Sequence, residues 1–232
     1  MSSMKQDNPS SFLSSTAFQL TLVVIVAALV ITSQVLLSTL SGTSTSYKSS
    51  STKKFSSTGD PVQDSINQVI PTGMPDVYGA ELGVSFDDPV PGLNVLSRLE
   101  QRIPLSSLTP EEKQKFIEAS TPISCEFCCG APSVITSDGS PACGCAHAAA
   151  IRGLALYLVK NHPEYSADQI LEETTKWKAL FFPKQMVEKG AALIQNGQDI
   201  TPKALNDRQL LQKLNTGDLS GIGNLPNMVG GC

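Results

Sequence analysis

Apolar and polar positions divide the chain into three unlike stretches. From Ala17 to Leu40 there is no charged residue, and the run from Leu20 to Ile31 is broken only by Thr21. About twenty such residues suffice to cross a bilayer as a helix, so 17–40 is expected to be a single transmembrane anchor behind a short tail at 1–16. Its Ser-rich flanks give a buried core helix nothing to pack against, and no small-x-small cleavage site marks a signal peptide. Ser and Thr dominate the stretch that follows, which has too few large apolar residues to offset its own ordering entropy. A flexible linker is expected at 41–67 and a folded domain at 68–232.

Within that domain the apolar period is helical. Thr109-Pro110-Glu111-Glu112 combines an N-cap, a proline at the first helical position and a capping-box acid, which predicts a helix to about Ser120. Ile151, Leu154, Ala155 and Leu158 follow the i, i+3, i+4, i+7 pattern and predict a helix over 146–161. Ser166-Ala167-Asp168-Gln169 is a second capping box, opening a helix whose Ile170, Thr174, Trp177 and Phe181 share a side. A shorter helix is expected over 93–102, and Pro183 ends one helix or opens another. The fold class is thus mainly α: a small helical domain with the transmembrane anchor at its amino end.

One stretch breaks this pattern. Cys125-Glu126-Phe127-Cys128-Cys129 is followed after thirteen residues by Cys143-Gly144-Cys145-Ala146-His147, which gathers five of the six cysteines. Val134-Ile135-Thr136 reads as a short strand, and Asp138-Gly139 suits a type I′ turn. A β-hairpin would then carry Cys143 and Cys145 back towards Cys125 and Cys128. Helix begins after Cys145, so Cys143, Cys145 and His147 are expected at a helix N-terminus, where dipole and unpaired amides favour thiolates. A cysteine knuckle, a hairpin and a helix make a treble-clef-like metal site. The candidate ligands are Cys125, Cys128, Cys129, Cys143, Cys145, His147 and the terminal Cys232, which a Gly230-Gly231 tail can carry into the site.

These ligands exceed the four that a structural zinc ion takes. Zinc is the default cofactor, with Cu(I) or an iron-sulfur cluster as alternatives for a surplus of thiols. A disulfide-stapled exported domain is a further alternative, with fifteen possible pairings of six cysteines. His162, at a helix end, reads as structural. The acids between Tyr78 and Asp88 do not follow the alternate spacing of a Ca²⁺ loop and read as solvated.

Composition removes other classes. The net charge is −4 with 16 % charged residues, only Lys53-Lys54 stand together among the basic residues, and four Tyr with one Trp provide no stacking platform. Nucleic acid is not an expected partner. No nucleophile triad, phosphate loop or paired carboxylates are present, so hydrolase and kinase readings have no support. Lys5 before the anchor and Lys48, Lys53 and Lys54 after it lean towards a cytoplasmic domain, but an anchor followed by a tether suits an extracytoplasmic one, which is the placement expected here.

Several strings, Tyr78-Gly79-x-Glu81-Leu82-Gly83-Val84-Ser85, Ser124-Cys125-Glu126-x-Cys128-Cys129-Gly130, Ala142-Cys143-Gly144-Cys145-Ala146-His147, Trp177-Lys178-x-Leu180-Phe181-Phe182-Pro183 and Met228-Val229-Gly230-Gly231-Cys232, resemble those of a family of membrane-anchored archaeal proteins of uncharacterised function. The resemblance spans about 74–232. It implies a single anchor, a cysteine-rich domain, an archaeal or archaeal-like source and a site that includes Cys232; it implies no particular activity. Two classes of function remain: a thiolate metal-binding module with a structural or metal-handling role, and a thiol or iron-sulfur redox protein.

Overall fold

Prolines and short polar caps decide where each helix starts. The protein's computed structural model describes residues 57–217 and 219–231. The first helix, α1 (Pro61–Val69), opens inside the expected linker, with Pro61 at its first position and the Asp60 carboxylate accepting from the amides of Val62 and Gln63. Folded chain therefore begins before residue 68. A short α2 (Gly79–Leu82) stops at Gly83, whose φ of 65° suits glycine.

Helix α3 (Pro89–Arg102) starts four residues earlier than the sequence pattern suggests, at another first-position proline, and buries Gly92, Leu93, Leu96 and Leu99 on one face. Helix α4 (Pro110–Ser120) forms the expected capping box, Thr109 with Glu112. Helix α5 (Ala146–Asn161) matches its expected bounds and is buried on almost every side. It is the axis of the domain, packing most extensively on α3 and also on α4 and α6. Helix α6 (Ala167–Phe181) carries the second capping box, and Pro183 opens α7 (Pro183–Gln195). Two short helices, α8 (Pro202–Asn206) and α9 (Leu210–Lys213), and a 3₁₀ turn at Ser220–Asn224 follow.

The mainly helical reading holds, but two parts of the expected fold do not. No strand forms among the described residues, and the β-hairpin reduces to two isolated bridges, Cys125 with Ala131 and Ile135 with Pro141. Proline explains the short pairing, since Pro132 and Pro141 cannot donate to a ladder. The turn also differs from the expected type I′, which needs positive φ at two residues. Among the described residues only glycines have positive φ, so Gly139 (φ 89°) takes that conformation and Asp138 does not. Asp138 instead accepts from Thr136 Oγ1 and Ser140 Oγ, while the Thr136 amide donates to the Ser140 carbonyl.

The second correction concerns the membrane. Among the described residues no helix is long and apolar enough to cross a bilayer. The reading as a single-pass membrane protein with an extracytoplasmic domain thus gains no support from the structure. The segment 17–40 on which it rested lies outside the described residues.

Close contact of α5 with α3 depends on Gly153. A Cβ built there would lie 2.1 Å from the Leu96 carbonyl oxygen, which is backbone and cannot swing aside. Gly153→Ala should therefore destabilise the domain by about 3 kcal/mol, as overpacking of a tight core does. Gly223→Ala, at a position with no neighbour within 4 Å, should change stability by no more than about 0.5 kcal/mol. Chemical denaturation of the two variants checks this, and equal midpoints would refute the close-packing argument.

Candidate metal centre

Local backbone geometry gathers the sulfurs. After Cys125 the chain makes one helix-like turn, which places residues i and i+4 on the same side. The Gly130 amide donates to the Cys125 carbonyl at 2.9 Å, the Cys125 amide donates to the Ala131 carbonyl at 3.0 Å, and Gly130 (φ 75°) lets the chain leave. Cys129, not Cys128, is therefore the knuckle residue that faces Cys125. Val134 donates to the Ile123 carbonyl and accepts from Ala142, and this returns the chain to Cys143.

The sulfurs of Cys125, Cys129 and Cys143 all lie within 4.8 Å of one another. Cys143 is 3.5 Å from Cys125 and 2.7 Å from Cys129, and Cys145 is 3.7 Å from Cys125. Cys125 and Cys143 are buried, Cys145 is half-buried, and Cys128 and Cys129 are exposed; none of the five is in a disulfide. Of the seven expected ligands, Cys125, Cys129 and Cys143 form the core and Cys145 adjoins it. Cys128 stands outside the group of three, and Cys232 lies outside the described residues.

His147 is placed behind Cys145. Its Nε2 is 2.8 Å from the Val229 carbonyl oxygen, and its ring packs on Phe181 and Phe182 with centroids 5.0 and 4.9 Å away. A hydrogen bond from His147 also reaches Cys145. The imidazole thus stands against the Cys145 thiol and pins the carboxyl-terminal tail, which the Val229 amide fixes further by donating to the Phe181 carbonyl at 2.9 Å.

The thiols are not equivalent. A hydrogen bond from Cys125 draws Cys145 down to about 3, with smaller help from His147 and the Ala148 amide. The N-cap position of Cys145 on α5 accounts for that amide. Its partner Cys125 moves up, through the same hydrogen bond and through burial. Contact with Cys143 holds Cys129 towards the thiolate, while burial pushes Cys143 up.

Beneath the knuckle lies a charged layer that the motif reading did not anticipate. Glu126 Oε1 receives Lys178 Nζ at 3.1 Å and Lys189 Nζ at 2.6 Å. Burial draws Lys178 down to about 8 and lowers Lys189, with Glu126 opposing both shifts. The Phe127 ring centroid is 5.2 Å from each ammonium. The sequence does carry a signal for Lys189, which falls at the i+3 position of the apolar stripe from Met186 to Leu193, where a solvated lysine would not belong.

Arg152 joins these parts. Its guanidinium is buried, takes both carboxylate oxygens of Glu100 on α3, and donates to the Val134 carbonyl at 2.9 Å. A cleft of about 880 Å³ opens beside it, lined in part by Glu100, Cys143, Gly144, Cys145 and Arg152. No family model, curated protein or solved structure matches the chain.

The thiolate is the form that reacts with alkylating agents. Cys129 is exposed and its contact with Cys143 holds it below its ordinary value, so its thiolate persists further as pH falls than those of Cys125 and Cys143, which are raised. In the reduced, metal-free chain, iodoacetamide should label Cys129 ahead of those two. Its rate should also fall less than that of a free thiol between about pH 8 and about pH 6. Peptide mass spectrometry over a time course reads both, and prior labelling of Cys125 would contradict the arrangement.

Proposed function

We propose that the chain is a thiolate metal-binding protein whose ligand core is Cys125, Cys129 and Cys143, with Cys145 as the fourth sulfur. The carrying observation is the convergence of three sulfurs within 4.8 Å, two of them buried. Around a zinc ion at about 2.3 Å, tetrahedral sulfurs stand about 3.8 Å apart. The distances of 3.5 and 3.7 Å from Cys125 to Cys143 and Cys145 are close to that edge. The tail is fixed at Val229, three residues before Cys232, and Cys232 is proposed as the alternative to Cys145 for the fourth position. Cu(I) and an iron-sulfur cluster are the alternative occupants for so many thiols.

The role we assign to the ion is first structural. The segment from Cys125 to Cys145 is held by two isolated bridges and a few hydrogen bonds. A bound ion would cross-link it, and binding free energy then becomes folding free energy. Exposed Cys129 leaves the ion accessible from one side, which suits a handling role as well.

One distance favours a second reading. Cys129 and Cys143 meet at 2.7 Å, nearer to a covalent bond of about 2.05 Å than to a zinc edge. In a redox role these two thiols would yield two electrons and two protons to an external disulfide, which leaves as two thiols.

The full chain, purified without oxygen, decides between them by elemental analysis, an ultraviolet-visible spectrum and a thiol count. One zinc or colourless Cu(I) is expected, and Cys143→Ser should lose the ion and melt several degrees lower, as loss of a structural site does. Visible charge-transfer bands would indicate an iron-sulfur centre. A metal-free chain with Cys129 linked to Cys143 would favour the redox reading, and a metal-free chain whose thiols neither take up zinc nor reduce an added disulfide would sink both.

A further inference from the structure

The charged layer under the knuckle is unbalanced. Lys178 and Lys189 have side chains 1 % and 2 % exposed, and the single carboxylate that both touch, Glu126, is 10 % exposed. Each ammonium is fully hydrogen-bonded. Lys178 donates to Ser124 Oγ at 3.1 Å, Glu126 Oε1 at 3.1 Å and Asn206 Oδ1 at 2.9 Å. Lys189 donates to Glu126 Oε1 at 2.6 Å and to the carbonyls of Leu205 and Asp207 at 3.2 and 2.8 Å. Every acceptor but Glu126 is neutral. The nearby Asp207 carboxylate is taken by Lys213 at 2.7 Å, and Arg208 adds a further positive charge where it meets the Gly130 carbonyl.

Hydrogen bonds satisfy geometry, not charge. Two ammoniums and one carboxylate leave a surplus of one positive charge away from water, and a buried charge is costly unless another charge answers it. The surplus has a definite location: Ser124 and Glu126 are the residues on either side of Cys125, so the lysines grip the knuckle from behind. A divalent ion held by three thiolates carries one net negative charge, and four thiolates give two.

We infer that Lys178 and Lys189 are positioning residues for the metal centre, with Glu126 setting their surplus at one positive charge so that the buried layer counterbalances an anionic metal–thiolate complex. This inference rests on the metal-binding reading. It adds a selectivity: the layer favours ligand sets made of thiolates over sets made of neutral imidazoles, because only the former leave negative charge to answer it.

The test compares full-length wild type with Lys178→Met and Lys189→Met. Either replacement leaves Glu126 paired one to one with the remaining lysine, and removes the surplus charge together with that lysine's bonds to neutral acceptors. Zinc affinity is measured by competition with a chromophoric chelator at one fixed pH, and the melting of the metal-free chain is followed by circular dichroism. Affinity, read on the folded chain, should fall about 10- to 100-fold in each variant, the range for outer partners of a metal site. A merely structural role would lower melting and leave affinity unchanged once folded, and that result overturns the inference. Affinity within about two-fold of wild type in both variants overturns it as well while metal binding stands. Wild type that takes up no zinc, Cd²⁺ or Cu(I) would overturn the metal reading and this inference together.

Discussion

The guanidinium of Arg152 is the constraint on which the rest of the structure depends. Removed from water, it must find acceptors for its planar fork, and it finds them on two separate pieces of chain, so that it ties three pieces together. Glu100 supplies two oxygens from α3, and Val134 supplies a backbone carbonyl from the loop between the two cysteine groups. Arg152 itself stands on α5, whose first turn follows Cys145. One side chain thus sets the loop that delivers Cys143 against the helix that presents Cys145. Breaking a buried pair of this kind costs about 3–5 kcal/mol, because the surviving charge is left without an answer. Gly153, the next residue, lets α3 come close enough for Glu100 to reach it.

Around that joint the domain is layered by chemical hardness. Soft sulfurs occupy the outer surface, two buried and the rest partly or fully exposed. Aromatic rings form the next layer: Phe181 and Phe182 against His147, and Phe127 against Phe182 with centroids 5.5 Å apart. The ammoniums of Lys178 and Lys189 lie below Phe127. Rings of this sort keep water away from both layers while presenting π-density to the cations.

How much of this was legible in the sequence depended on how local the cause was. Capping boxes at Thr109 and Ser166 and the apolar period of α5 are short-range signals, and those helices appear where they predict. Proline was the residue most easily misread. Pro89 opens a helix four residues before the expected start, and Pro132 and Pro141 cut the expected hairpin to single bridges. The gathering of Cys125, Cys129 and Cys143 was visible as a cluster, but choosing Cys129 over Cys128 required the helix-like turn after Cys125. Glu126, Lys178 and Lys189 were not legible as a unit, because their association is tertiary; only the misplaced lysine in the α7 stripe hinted at it. The membrane expectation rested on hydropathy at 17–40 alone, and the described helices give it no counterpart.

Separation along the chain gives this layering an order in time. Cys125 and Cys143 are 18 residues apart, whereas Glu126 is 52 and 63 residues from the lysines that reach it. Closing the shorter loop loses less entropy, and contacts between near neighbours form sooner than those between distant ones. These separations therefore favour a meeting of the sulfurs before α6 and α7 dock. In that order a nascent chain would carry its gathered cysteines with no ammonium beneath them until docking of the last long helices seats the cluster.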